Sequence, residues 1–495
     1  MNEDIRFDTA MQDMMDQLPA ASLPPAQVTP WRQAMRLVLW GIGLTCLTVQ
    51  LWHLGEILPL VGGILMALGF RTLRRENDWL RSCWRLSVAL AALRGVFTVA
   101  MGTVLLHLAP WMETAVGWLL GILSWLLYLG LWRGMLAIGR KAGQEKPSAR
   151  AAGALVLWYT ALMAATVFAP AIQGLAAWVM LALYLIILRR LTKLTRALDD
   201  CGYAVQAAPV KWDGRWVAAA YLGLVLAGVL LGQFLGQRLP MDWAVRETPS
   251  AQAEAVRDRL EDLGLPREIL DDLTDADVLS MSGATQVVRT QQSVERVSVD
   301  MSPTQPSILF QRAAVLVLGE TEEHWAILTY FQYEDGVAPG YTDGIEIAPH
   351  KADSIPVDEN MLSGFLLCDR ADGTYAAPMR DLLVGQWEQT QSDPLSLFTD
   401  RWAGSSANPR VYGQWSVPRQ GENVRGYLLY WRDYVPRGGD EQTVFADLEG
   451  FHRRRSPCYP WASALDVRKL YNATETYWPE QFWIVQDTDG TVYLG

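Results

Sequence analysis

Residues Trp216–Leu235 read WVAAAYLGLVLAGVLLGQFL, and this stretch decides the reading of the chain. It holds no charged residue and matches the roughly 17–25 apolar residues that a helix needs to cross a hydrocarbon core. Pro240 follows closely, and past it the composition changes character. Residues 241–495 hold 21 Lys and Arg against 40 Asp and Glu, whereas residues 1–240 hold 21 against 13. The first part is therefore apolar and basic and the second acidic, an asymmetry that points to two environments. An acidic domain repels phosphate backbones, which excludes nucleic acid as a partner.

Working back toward the N-terminus, six further apolar runs precede this one: Met35–Trp52, Ile57–Phe70, Leu86–Leu108, Ala115–Ile138, Ala151–Ala169 and Leu175–Leu188. The expectation is a polytopic α-helical membrane domain of about seven helices over residues 35–240, with the lipid bilayer as first partner. Arg71, Arg74, Arg75 and Arg81 follow the second run. Arg133, Arg140, Lys141, Lys146 and Arg150 surround the end of the fourth, and Arg189, Arg190, Lys193, Arg196, Lys211 and Arg215 follow the sixth. The alternate loops, around Gly55, Pro110 and Ile172, carry no basic residue. Cytoplasmic loops are enriched in Lys and Arg. The expected localisation is therefore the plasma membrane, multi-pass, with a cytoplasmic N-terminus and an extracytoplasmic C-terminal domain. The first 30 residues are long and acidic, unlike the short basic start of a signal peptide.

Two helices carry packing signals. Gly228, Gly232 and Gly236 recur every four residues and predict a flat face for close helix approach. Trp111, Trp118, Trp125 and Trp132 recur every seven and share one side of a helix, which predicts a packing or lipid-facing stripe.

Arg94 is the one ionisable residue placed deep in a predicted span, where a charge costs roughly 2.5–3.5 kcal/mol. It is the intramembrane functional candidate; the bland reading is a side chain that snorkels or caps backbone carbonyls. At the neutral loops, His53, Glu56, His107 and Glu113 combine imidazoles and carboxylates that suit a divalent metal if four separate segments converge.

The N-terminal arm, 1–34, contains an amphipathic stretch at residues 2–18 with Ile5, Met11, Met14, Met15 and Leu18, a candidate docking helix for a cytoplasmic partner. Beyond the membrane domain, 241–284 reads as a helical stalk. Ala251–Leu263 is amphipathic, Pro266 opens a second short helix, and Thr274 caps a third. Residues 285–495 change to short alternating apolar runs, among them Ala313–Leu318, Trp325–Tyr333, Tyr412–Val417 and Gly426–Trp431. The expectation is a β-rich, α+β extracytoplasmic domain built as an antiparallel β-sandwich in one or two copies. Ile327–Phe331 echoes Tyr427–Trp431, which makes 285–380 and 381–495 two candidate modules. Asp372-Gly373 and Asp489-Gly490 are hairpin signals.

The domain offers little catalytic signature. No P-loop, zinc-protease helix or complete calcium loop is present, so the chain leans away from enzymes and no cofactor is expected. The distinctive stretch is Phe451–Trp461, FHRRRSPCYPW. Arg453, Arg454 and Arg455 with Tyr459 and Trp461 suit an anionic or sugar-like ligand held by charge and stacking. Cys368 and Cys458, the two cysteines of this domain, bridge or stay as buried thiols.

Residues Pro30-Trp31-Arg32 through Leu39-Trp40-Gly41, followed by Gly69-Phe70-Arg71-x-x-Arg74-Arg75-Glu76-Asn77, resemble segments of uncharacterised bacterial multi-helix membrane proteins. Arg425-Gly426-Tyr427 has a similar flavour. The resemblance covers residues 30–90 and implies a bacterial inner-membrane setting, with no activity attached. The leading functional expectation is a membrane protein displaying an extracytoplasmic ligand-binding or sensing domain, with an extracytoplasmic ligand or protein as partner. The alternative is an envelope enzyme acting on glycan or lipid. A transporter would need polar groups or broken helices at mid-membrane, and only Arg94 is offered.

Overall fold

In a computed structural model of the chain, the described residues are 29–46, 54–142, 149–168, 175–200, 205–297, 303–319, 323–334, 342–349, 362–387, 406–418, 420–433, 442–452, 459–466, 475–477, 479, 482–486 and 492–494. The amphipathic stretch at 2–18 lies outside them. The chain divides into two units. One comprises 1–99 and 109–229; the other comprises 100–108 and 230–495.

The first unit is helical. Its helices are α1 (Pro30–Cys46), α2 (Leu54–Leu73) and α3 (Asp78–Met101); after the short turn α4 (Leu105–Leu108) come α5 (Trp111–Lys141), α6 (Arg150–Phe168), α7 (Leu175–Asp200) and α8 (Gly214–Leu235). Three of these, α3, α5 and α8, are long and apolar enough to cross a membrane; Ile57–Leu73 and Arg150–Ala165 are shorter apolar helices. Seven spans are therefore not supported among the described residues. The physical reasons differ by helix. The described helix of the first run, Pro30–Cys46, is 17 residues long, and α7 carries Arg189, Arg190, Lys193 and Arg196 on its second half, all exposed. The third run, expected to continue to Leu108, stops as a helix at Met101. There Thr103 donates its hydroxyl to the Ala100 carbonyl at 2.8 Å and its N–H to the same oxygen at 2.9 Å.

Helix packing in this unit follows the small residues. A Cβ added at Gly41 would lie 2.6 Å from the Gly62 carbonyl oxygen, so α1 and α2 cross backbone to backbone. A Cβ at Gly228 would lie 2.8 Å from Val99 Cγ2, which fits the flat face read from the glycine stripe. The tryptophan stripe divides. Trp111 and Trp118 are exposed, whereas the Trp125 indole donates to Thr160 Oγ1 at 3.0 Å. One end of the bundle is tied by polar contacts. The Trp31 indole donates to the Thr195 carbonyl at 3.0 Å. The buried Glu76 accepts from Lys141 Nζ at 3.1 Å and from the Gln206 N–H at 2.9 Å. The basic segments after α2, α5 and α7 thus meet on one carboxylate.

The second unit contains β1 (Ala244–Val245), then helices α9 (Ala251–Asp262), α10 (Arg267–Asp272) and α11 (Asp275–Ser280). The strands follow as β2 (Ala284–Val297), β3 (Pro303–Leu318), β4 (Glu323–Tyr333), β5 (Asp343–Pro349), β6 (Leu362–Arg370), β7 (Gly373–Pro378), β8 (Arg380–Trp387), β9 (Ser406–Trp415), β10 (Glu422–Asp433), β11 (Gln442–His452), β12 (Glu475–Tyr477), β13 (Phe482–Gln486) and β14 (Val492–Leu494). They form one antiparallel sheet in the order β1-β7-β6-β10-β4-β3-β2-β12-β11-β5-β9-β8, with β13 and β14 continuing off β11.

Strand alternation divides the core in two. On β3, Phe310, Ala314 and Leu316 join Ile345, Ile347, Val411 and Trp415 from β5 and β9 in one cluster, while Ala313, Val315 and Val317 face the other way, onto Leu260, Ile269 and Leu270 of the helices. Strands distant in sheet order therefore meet face to face; Phe331 of β4 stacks on Trp415 of β9 at 4.7 Å between ring centroids. The helices read as a stalk are packed on the sheet. Asp277 of α11 accepts from the buried Tyr427 hydroxyl at 2.6 Å, and Asp272 of α10 accepts from Arg425 Nε at 2.6 Å. Burial, and then the Asp277 charge, push the Tyr427 phenol well above its ordinary value. Thr274 caps α11 as expected, accepting from the Asp277 N–H. The two echoing segments are neighbours, not copies: β4 and β10 pair directly, with Tyr427 opposite Tyr330. Strands from 285–380 and 381–495 interleave, so the sheet does not split into two modules. Cys368 is a buried free thiol, and Cys458 lies outside the described residues.

Candidate functional site

The site is built where segment 100–108 joins the sheet, within the second unit. Val104 donates its N–H to the Gly236 carbonyl at 2.7 Å, and Gln237 Nε2 donates to the Gly102 carbonyl at 3.2 Å. Trp461 donates its backbone N–H to the Met101 carbonyl at 2.6 Å and its indole N–H to the Gln237 carbonyl at 3.0 Å. Val104, Leu239 and Trp461 close this knot as a small apolar cluster.

His107 is the centre. Its Nε2 lies 2.9 Å from Asp381 Oδ2 and its Nδ1 lies 3.5 Å from Asp466 Oδ2. The Trp461 ring meets the imidazole edge-on at 5.1 Å. Asp381, the second residue of β8, lies in the left-handed region at φ 48°, a conformation that Asp tolerates better than most residues. Gln414 Nε2 also donates to Asp381 Oδ2, and the Ser463 hydroxyl donates to Asp466 Oδ2 at 2.7 Å. Hydrogen bonds to Asp381 and Asp466 push the His107 pKa up to about 9 against the opposing effect of burial. His107 holds the Asp381 carboxyl below its usual range. Asp466 is likewise held low: desolvation, its largest influence, pushes it up, but bonds from His107 and Ser463 outweigh it. At neutral pH the arrangement is an imidazolium gripped by two carboxylates, a charge-assisted clamp.

One strand away lies a narrow cleft of about 10 Å³, lined by Phe310, Phe331, Tyr333, Asp343, Ile345 and Trp415 among others. That is about the space of a single water molecule, far below the roughly 300–1,000 Å³ of ligand pockets. The Trp415 indole donates to the Tyr333 oxygen at 3.2 Å, and the Tyr333 hydroxyl donates to the buried Asp343.

The residues singled out from sequence are distributed as follows. His107 is in the site, but its partners are Asp381 and Asp466; Glu113 is exposed on the first turn of α5. His53 and the Glu56 side chain lie outside the described residues. Among the described residues no group of three or more His, Cys, Asp or Glu side chains is arranged to hold a metal ion. Trp461 is buried against His107, Val104 and Leu239, and Tyr459 is half-buried; Arg453, Arg454 and Arg455 lie outside the described residues. Arg94 donates to the Pro59 carbonyl at 2.8 Å. Pro59 itself sits inside α2. Asp381, Asp466 and Gln414 carry no local signal in the sequence, because only the tertiary fold brings them to His107.

No protein-family model and no curated protein matches the chain. Among solved structures, the membrane-inserted form of the Clostridium perfringens NetB toxin matches at 6% identity, over 42% of this chain and 100% of the toxin chain, with a TM-score of 0.12; at that value the likeness carries no argument.

Proposed function

We propose that the chain is a polytopic membrane protein that holds its C-terminal unit, a β-sandwich covered by helices, outside the cell membrane as a ligand-sensing domain. The observation that carries this reading is the membership of Ala100–Leu108 in the C-terminal unit, fastened by His107. That segment is flanked by two apolar helices, α3 and α5, so the sheet and the α3–α5 connection share one side of the membrane. A domain that is merely anchored needs one tether; this one has two, through α8 and through the clamp.

Parity supports the orientation. An even number of crossings must separate Leu108 from the sheet. With α5 and α8 crossing, α6 and α7 cross together or not at all. The basic segments gathered on Glu76 then occupy the opposite face, as the enrichment of Lys and Arg on the cytoplasmic side requires. The test is labelling of single-cysteine variants in intact cells with a membrane-impermeant maleimide. Asp372→Cys, at an exposed hairpin turn, is expected to label without permeabilisation, and Arg75→Cys only after it. The reverse pattern overturns the proposal.

A further inference from the structure

The clamp and the cleft share a strand. Gln414 and Trp415 end β9 and Ser416 follows them, and alternation sends Gln414 and Trp415 to opposite faces. Trp415 enters the cleft, stacking on Phe331 and bonding Tyr333. Gln414 reaches Asp381 and lies 3.5 Å from His107 Nε2, while Ser416 Oγ accepts from the Leu239 N–H at 2.8 Å. A second route leaves the same cleft. Thr342, beside Asp343, accepts from the Ala464 N–H at 2.8 Å, and neighbouring Ser463 holds Asp466 on the other nitrogen of His107.

We infer that the two routes form a relay: displacement of Trp415 or Asp343 in the cleft shifts the carboxylates that grip His107, and so reaches the segment joining α3 to α5. The inference rests on the sensing reading above and assigns its regulation. Physical support comes from burial. Gln414, Trp415, Ser416, Thr342, Asp343 and Ser463 are all buried, so no slack solvent layer separates the two ends. Among the described residues, the charged groups facing His107 are Asp381 from β8 and Asp466 from the 459–466 segment; Gln414 and Trp461 lie beside it without charge.

The experiment is hydrogen exchange, read peptide by peptide, on the full chain in lipid nanodiscs, perturbed from each end. Tyr333→Phe removes the hydroxyl shared by Trp415 and Asp343 while keeping the ring. It is expected to raise exchange several-fold in 100–108. His107→Gln is expected to raise exchange in 411–417 and 342–347, with the helices α9 to α11 unchanged as an internal check on folding. Asp466→Asn provides a milder second perturbation, expected to act on 342–347 more than on 411–417. The inference is overturned if Tyr333→Phe alters only the cleft strands and His107→Gln only 100–108 and 459–466. The maleimide experiment reads sidedness alone, so either result can fail while the other stands.

Discussion

His107 and Asp381 are separated by 274 positions in the chain and by 2.9 Å in space. Their bond makes the short segment between two apolar helices an integral part of the sheet unit. Stability should therefore carry the signature of a histidine. The His107 pKa is raised from 6.5 to about 9. A raised histidine value contributes stability that is fully present below the ordinary pKa and is lost as pH rises through the folded one. The thermal midpoint of the detergent-solubilised chain should fall across that window. His107→Gln should remove that slope and lower stability at neutral pH by roughly 1.5–3 kcal/mol, the range for a hydrogen bond to a charged group. Equal slopes in both proteins would exclude His107 as the titrating group.

Glu76 is fully buried and takes Lys141 and the Gln206 backbone. Lys141→Met removes the cation and leaves the carboxylate in place. Half of the lysine is exposed, so the loss should fall below the roughly 3–5 kcal/mol typical of breaking a fully buried pair. Lys141→Met paired with Glu76→Gln should recover part of it, measured as a double-mutant cycle in thermal unfolding.

Arg94→Leu should be nearly neutral for folding. The lost bond to Pro59 costs roughly 1.5–3 kcal/mol, and removing a charge from the apolar zone returns roughly 2.5–3.5 kcal/mol. A drop in thermal midpoint larger than that of Lys141→Met would show that Arg94 holds more than one carbonyl.

Gly228→Val should destabilise by about 1–3 kcal/mol through overpacking, because its first carbon already meets Val99 Cγ2 at 2.8 Å. Gly117→Ala, where no atom lies within 4 Å, should be tolerated. Comparable losses at both positions would contradict the packing of α8 on α3.

Much of the architecture was legible because it rests on local pattern. The apolar runs, the Thr274 cap and the Asp372-Gly373 hairpin all announce themselves within a few residues; Gly373 adopts φ 142°, as its turn demands. β2 did not, because ATQVVRTQQSVERV mixes charges and amides with its valines; it pairs along nearly its whole length with β3. The echo of Ile327–Phe331 in Tyr427–Trp431 was visible but misleading: adjacent central strands share a composition because both are covered on two faces. His107 was picked out by type and position. Its partners were not, since Asp381 and Asp466 are two carboxylates in a domain with 40 and only the fold distinguishes them.

The division of the C-terminal unit into 100–108 and 230–495 also sets an order of events during synthesis. Ala100–Leu108 emerges first and must wait while all of Ala109–Val229 is translated, about 6–25 s at ordinary elongation rates of roughly 5–20 residues per second. Throughout that interval His107 has neither carboxylate, because Asp381 and Asp466 come later still. The clamp can close only once the chain is almost finished, so a unit that has captured its early segment is one whose intervening residues have all been made.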